Sequence, residues 1–174
     1  MTNLTCPSVD INLLNTNSFQ LVIERLPNVS FFVTEAEVPS LELASLNEAT
    51  TLTSLKIPSD KITFSDLSVV FKVDSRMDNY IELFKWIQGL GHPESHSQYT
   101  IENNTRSANL TELDKIYSDG KLMVLGPSNE VIRTFNFVDL FPTSIGSIRF
   151  SSTNTDVEYA TCQVSFSYTY YNIT

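Results

Sequence analysis

The sequence predicts a mainly β protein with one α-helix, built as an antiparallel β-sandwich or barrel of about eight strands with the helix packed at its side. Most segments alternate apolar and polar residues and are separated by turn residues, which is the pattern of half-buried strands. A single segment instead repeats its apolar residues at helical spacing. The length of 174 residues favours one domain with its own core.

The N-terminal half is expected to begin with an arm at residues 1–17, followed by the β domain at residues 18–174. Residues 18–26 alternate as a strand and end at a turn at Pro27. Residues 29–38 are expected to be the hairpin partner of that strand, ended by Pro39.

Residues 41–62 have β-branched residues and scattered leucines but no clear period, so they are expected to form a projecting hairpin or extended arm. A mobile surface loop is the alternative for this segment. Residues 61–73 return to a strand, in which Leu67, Val69 and Phe71 share a buried face.

Residues 75–91 are the predicted helix, with Ser75 able to cap it and glycines at its end. Five apolar residues form its stripe: Tyr80, Leu83, Phe84, Ile87 and Leu90. Trp86 lies off this stripe and is expected to pack at its edge or against a neighbour.

The C-terminal half begins with a predicted long loop insertion at residues 92–118. A hairpin is expected next, with strands at residues 121–125 and 131–140. A short strand at 147–150 and a long alternating strand at 158–171 close the chain. The long strand places small polar side chains on one face: Gln163, Ser165, Ser167 and Thr169.

The net charge of −9 argues against a protein that grips nucleic acid by its phosphates, because that grip requires clustered lysines and arginines. An acidic surface would instead let DNA slide past without sticking. No signal peptide or membrane span is expected, so Cys6 and Cys162 are interpreted as free thiols in the cytoplasm.

Residues suited to catalysis or metal binding are scattered. His92 and His96 have i, i+4 spacing, but Pro93 follows the first of them, so two solvated loop histidines are a better interpretation than a metal site. The sequence has no nucleophile elbow and no phosphate loop. We therefore expect no enzyme activity, no cofactor and no metal.

Four stretches in this order resemble one known family. They are "NSFQLVIERLPNVSFFVTEAEVPSLEL", "LKIPSDKITFSDLSVVFKVD", "NYIELFKWIQGLG" and "LFPTSIGSIRFSSTNTDVEYATCQVSFSYTYY". Together they are similar to the opening hairpin, projecting hairpin, single helix and closing strand of the tail tube proteins of T-even-type contractile-tailed bacteriophages. The departures from the family are the start at 1–17 and the loop at 92–118.

The resemblance implies a homohexameric ring that stacks with others into a tube inside a contractile sheath, in the tail of a virion assembled in the host cytoplasm. Its partners would be other copies of itself, the sheath, baseplate and terminator proteins, and DNA that passes without tight binding. The expected contacts between subunits are Leu46, Leu52, Leu55, Ile57, Pro58 and Trp86. The polar face of Gln163, Ser165, Ser167 and Thr169 would line the lumen or lie beside it.

Two alternatives remain open from the sequence. A tube-like ring used once per tail, as a baseplate initiator or a tail terminator, would share this fold. A β-sandwich that binds carbohydrate or a receptor would need exposed aromatics, for which Tyr99, Tyr170 and Tyr171 are the candidates.

Overall fold

The computed structural model describes residues 13–49, 51–91, 116–151 and 158–174. In these residues the protein has nine strands and two helices. The strands are β1 Phe19–Ile23, β2 Val33–Glu37, β3 Leu41–Ala49, β4 Ser54–Phe64, β5 Leu67–Lys72, β6 Ser118–Leu125, β7 Val131–Ile145, β8 Thr161–Ser167 and β9 Tyr170–Ile173. The helices are α1 Pro27–Phe31 and α2 Asp78–Gly91. Residues 1–12 of the predicted arm and 92–115 of the predicted loop lie outside the described part of the chain.

Seven strands form one antiparallel sheet in the order β1-β6-β7-β8-β5-β2, with β9 paired to β7. The sheet does not close into a barrel, because β1 and β2 stand at its two ends and do not pair with each other. The remaining strands, β3 and β4, form a separate antiparallel ribbon. The mainly β antiparallel architecture predicted from the alternation is therefore confirmed.

The predicted hairpin of the first two strands is wrong, because α1, a short helix that was not predicted, lies between them. Pro27 stands in the first turn of α1, where its fixed φ suits a helix and its missing N–H costs no hydrogen bond. Ser30 donates to the carbonyl of Leu26 at 2.9 Å and accepts from the N–H of Ile23 at 3.0 Å. The helix therefore turns the chain away from β1, which pairs with β6, while β2 pairs with β5.

The core lies on the inner face of the sheet and is closed by the two helices. The alternation predicted for β5 is confirmed, since Leu67, Val69 and Phe71 are each fully buried. In β8 the buried positions are Cys162, Val164 and Phe166, which lie opposite the buried residues of β5. Burying each of these side chains stabilises the fold by about 1.5–3 kcal/mol.

Helix α2 buries a face shifted from the predicted apolar stripe: Leu83 is in the core and Tyr80 and Leu90 pack against it, as predicted. Asn79, Leu83 and Trp86 are buried, whereas Phe84, in the middle of the predicted stripe, is 50% exposed. The helix is apolar around more than half of its circumference, so the spacing alone allows two orientations. The orientation that buries the large indole of Trp86 is the one the structure adopts.

The C-terminal region differs from its prediction in two ways. Residues 147–150 are not a strand. The long final strand is divided at Tyr168 and Thr169 into β8 and β9, both of which pair with β7. Asp139 of β7 lies opposite this break and has a φ of 57°. The two paired stretches of backbone therefore bend at the same place. We call this place the sheet corner, formed by Asp139, Tyr168 and Thr169.

Candidate assembly surfaces

The β3–β4 ribbon is the most exposed apolar part of the described chain. Its register pairs Leu46 with Ile57, Glu48 with Leu55 and Ser45 with Pro58. Four of its predicted contact residues expose large apolar surfaces: Leu52 98%, Leu46 63%, Leu55 53% and Ile57 38%. Pro58 is exposed as well. The segment that lacked a clear period in the sequence is thus a paired ribbon whose leucines do not enter the core.

The base of the ribbon is attached firmly to the body. The ring of Phe64 lies 5.4 Å from that of Tyr171 and 6.1 Å from that of Tyr168. The hydroxyl of Tyr168 donates to the carbonyl of Ser65 at 2.8 Å, and Ser40 and Ser65 exchange two hydrogen bonds. The ribbon therefore projects from a fixed root.

Burial, and to a lesser degree the nearby Tyr171 and Asp66, raises the pKa of Tyr168 to about 12. The hydroxyl therefore stays protonated at any physiological pH and remains a hydrogen-bond donor to Ser65.

A groove of about 580 Å³ lies beside the two end strands of the main sheet, between the start of β1 and the middle of β2. Its apolar lining comes from Leu14, Phe19, Ala36, Val38, Leu122 and Val124, and its polar lining comes from residues 15–18, Thr34 and Glu35. End strands of a sheet can pair with a strand of another chain, so this groove places apolar surface beside two strands that could pair in that way. The sequence did not reveal this groove, because it depends on which strands end the sheet.

The outer face of β8 is polar, as predicted. Gln163 and Ser165 point away from the core, and Gln163 donates to the hydroxyl of Ser68 on β5 at 2.9 Å. Glu37 lies opposite Ser68, and Glu35 lies opposite Val70, one row along. The same face of the sheet thus adds two carboxylates on β2 to the neutral side chains on β8.

Ser167 and Thr169 sit at the end of this polar row. Ser167 is half-buried at the last position of β8, opposite Phe141. Thr169 lies beyond β8 at the sheet corner, where its backbone N–H donates to the carbonyl of Val138 at 3.0 Å. Its side chain is exposed.

The break at Thr169 reverses the alternation that the sequence predicts for the last residues. Tyr171, expected on the polar side, is half-buried, with its ring 5.7 Å from Phe137 and 6.0 Å from Phe135. Tyr170, expected on the core side, is 42% exposed. Tyr171 therefore offers little surface for a sugar, and Tyr99 lies outside the described residues.

Trp86 is buried within the chain, and its exposed fraction of 2% leaves little surface for the contact between subunits expected from the sequence. Its indole N–H donates to the carbonyl of Ile116 at 3.1 Å, and the guanidinium of Arg25 lies 4.5 Å from its ring centre. The ring of Phe166 lies 6.4 Å away. Trp86 therefore fastens α2 to the sheet within one chain.

Groups suited to catalysis do not converge in the described residues. No group of three or more histidine, cysteine, aspartate or glutamate side chains could hold a metal ion there, and His92 and His96 lie outside the described ranges. Burial raises the pKa of the Cys162 thiol, which keeps it neutral. Over these same ranges, no helix has the length and hydropathy needed to span a membrane.

Comparison with known proteins agrees with this picture of an assembly component. A family model described as phage tail tube protein matches residues 3–174. A comparison with curated protein sequences gave no match.

Solved structures share the fold over nearly the whole chain. The sheath/tube terminator of an extracellular contractile injection system, PVC, has a TM-score of 0.63 at 16% identity and covers 96% of this chain and 99% of its own. The tube terminating cap of the anti-feeding prophage has a TM-score of 0.61 at 17% identity and covers 99% of both chains. The sheath–tube complex of PVC has a chain with a TM-score of 0.55 at 12% identity, covering 93% of this chain and 91% of that one.

Proposed function

The chain belongs to the phage tail tube protein family, and we propose that it is the repeating structural subunit of a contractile tail tube, forming stacked hexameric rings whose lumen conducts DNA during ejection. The match of the family model over residues 3–174 is the observation that carries this proposal. The role is structural, and no catalytic step is assigned to any residue.

The open edges of the main sheet support lateral assembly. Among the residues that the structure describes, β1 and β2 each pair with a strand on one side only, and both lie beside a partly apolar groove. Exposed edges of this kind invite pairing with other chains. A neighbouring copy that lies over the groove in a ring would cover the edges of β1 and β2 at once, and the same contact would repeat in every copy around the ring.

The β3–β4 ribbon supports stacking of rings. The exposed surface of its leucines and isoleucines, from Leu41 to Ile62, adds up to that of roughly four fully exposed side chains. At about 1.5–3 kcal/mol for each full burial, covering them would contribute roughly 6–12 kcal/mol to assembly before the costs of association. We propose that Leu46, Leu52, Leu55, Ile57 and Pro58 are covered by copies in an adjacent ring.

The outer face of β8 supports a lumen that does not hold DNA. Its side chains are polar and uncharged: Gln163, Ser165, Ser167 and Thr169. Glu35 and Glu37 add negative charge on the same sheet. Carboxylates repel phosphate, so DNA would pass this surface without binding it tightly. We propose that this face lines the bore or lies beside it.

The assembly would include other tail components. Solved structures with this fold come from a sheath/tube terminator and a sheath–tube complex. By the same reasoning we propose that this chain contacts sheath, baseplate and terminator proteins in the virion tail after assembly in the host cytoplasm.

Electron microscopy of the purified protein at increasing concentration tests the proposal. A repeating subunit forms long hollow filaments built of stacked rings. A monodisperse monomer at every concentration would contradict it. Buffers of low and high ionic strength should both support filaments, because the proposed ring contacts are mainly apolar and backbone contacts.

A terminal ring is the second candidate function. Tube terminators share the fold of this chain over almost its full length, as does a protein of the sheath–tube complex. A terminal ring would stop at single hexamers, and adding it to a growing tube would cap one end. Microscopy therefore separates the two roles by the length of the particles.

A further inference from the structure

The β3–β4 ribbon carries two apolar patches on opposite faces. The base patch consists of Leu41, Leu43 and Ile62, and the tip patch consists of Leu46, Leu55 and Ile57. Exposed fractions are 56%, 55% and 48% in the base patch, and 63%, 53% and 38% in the tip patch, so the described part of the chain leaves both patches largely exposed.

The register of the ribbon establishes the opposite faces. Leu43 lies directly opposite Ile62, and Leu46 lies directly opposite Ile57. Residues directly opposite each other in an antiparallel pair share a face, and successive residues alternate between faces. The register shifts between the Leu43–Ile62 pair and the next pair, Ser45–Pro58. Across this irregularity β3 advances by two residues and β4 by four. Both numbers are even, so the same face is kept from one pair to the next, and the alternation continues.

Each patch has polar residues behind it. At the base, Glu42 pairs with Thr63 on the reverse face, and near the tip Asn47 pairs with Lys56 on the reverse face. Each half of the ribbon is therefore amphipathic, and its apolar side changes from one half to the other. A single partner surface lying along one face would cover one patch and desolvate the charged side of the other, which is costly.

We propose that two different copies of this chain cover the ribbon: the neighbour in the same ring covers the base patch, and a copy in the next ring covers the tip patch. This inference rests on the proposed function and deepens it, because the same ribbon would then take part both in contacts within a ring and in contacts between rings.

The position of each patch supports the assignment. The base patch adjoins Phe64, whose ring packs against Tyr168 and Tyr171 of the body, so a molecule that covers this patch also lies beside the body. The tip patch lies farther out on a strand of eleven residues, which spans roughly 35 Å at about 3.3 Å per residue.

The size of the patches favours further copies of the chain over a small ligand. Three half-exposed aliphatic side chains form a patch well below the roughly 800 Å² that each partner buries in a stable interface. Each covering molecule must therefore also contact the body. Neighbouring copies in a ring, and copies in the ring above, provide such contacts at every position around the tube.

Six single substitutions in the full-length protein test this assignment. L43D places a charge in the base patch, and T63K places a charge at the same height on the reverse face, directly opposite Glu42, where the two charges attract. L46D places a charge in the tip patch, and N47D is its matched control. L43T and L46T repeat the two patch changes with a strand-forming residue, in case the carboxylate disturbs the ribbon. Near-ultraviolet circular dichroism of Trp86 reports whether the body remains folded.

Sedimentation velocity and electron microscopy provide the readout. L46D and L46T should form rings but lose at least tenfold in the yield of stacked tubes. L43D and L43T should sediment mainly as species smaller than a ring, while T63K and N47D behave like the wild type. Identical defects in L43D and L46D, with a wild type that still stacks, would overturn only the assignment of two partners. Wild-type rings that never stack would overturn the assignment of the tip patch to a second ring, and a wild type that stays monomeric would contradict both this inference and the proposed function.

Discussion

The hydroxyl of Thr169 donates a hydrogen bond of 3.1 Å to the carboxylate of Asp139 across the sheet corner. Asp139 has a φ of 57°, in the left-handed region that costs most residues about 1–2 kcal/mol. Aspartate tolerates this conformation better than β-branched residues do. The pair thus stabilises the point at which β7 bends and the C-terminal strand divides into β8 and β9.

Replacing Asp139 by valine should lower the free energy of unfolding by about 1–3 kcal/mol, because a β-branched residue is strained at positive φ. Asp139→Asn should cost less than about 1 kcal/mol, since asparagine also tolerates the left-handed region and can accept from Thr169. Urea unfolding followed by circular dichroism measures both. Equal losses in the two variants would show that backbone strain does not govern this corner.

Trp86→Ala should lower the free energy of unfolding by about 3–5 kcal/mol, because it empties a large volume in the core and leaves the carbonyl of Ile116 without its donor. Phe84→Ala on the same helix is the matched control, since Phe84 is half-exposed and should cost less than about 1 kcal/mol. Far-ultraviolet circular dichroism in urea measures both without relying on tryptophan fluorescence. A small loss in Trp86→Ala would contradict the role assigned to the indole.

Stability should decline between about pH 10 and pH 12, partly through Tyr168. Its pKa of about 12 in the folded protein exceeds the ordinary tyrosine value of about 10, so the folded state holds this proton more tightly. The stabilisation is complete below about pH 10 and is lost as the pH rises through about 12. Urea unfolding of the wild type and of Tyr168→Phe at each pH isolates the effect, because lysines titrate in both. The wild-type curve should fall more steeply, and parallel curves would rule out this contribution.

Lysines on the proposed lumen face should slow DNA passage. Ser165→Lys replaces a neutral side chain, near Glu37 on the same sheet face, with a cation that attracts phosphate. Particles assembled with this variant should eject DNA more slowly at low salt than at high salt, because salt screens the attraction. Ser165→Gln is the control, because glutamine is close to lysine in size but carries no charge. Ejection at the wild-type rate in Ser165→Lys at low salt would count against this face as the lumen.

The sequence predicts the sheet more completely than it predicts its connections. Alternation in β5 and β8 identifies their buried faces correctly, because period two is a local property of a strand. Pairing is not local. The partner of β1 is β6, which follows it by about a hundred residues, and a short helix at Pro27 removes the hairpin that the neighbouring strands suggest.

The candidate surfaces divide in the same way. The exposed leucines of residues 41–62 could be predicted, since apolar residues without a period find no place in the domain's own core. Trp86 could not be placed, because α2 is apolar over two overlapping faces and only packing against Phe166 and Arg25 selects one of them. The groove beside Phe19 and Ala36 arises only from the order of strands in the finished sheet.

The fifteen-residue strand β7 passes through the sheet corner as one continuous length of backbone. On one side of the corner it is hydrogen-bonded to β6 and β9, and on the other side to β8. A mechanical load on one half of the sheet is therefore transmitted to the other half along covalent bonds, and many backbone hydrogen bonds must shear together before the halves separate. Such a strand makes the protein resist extension along the direction of β7.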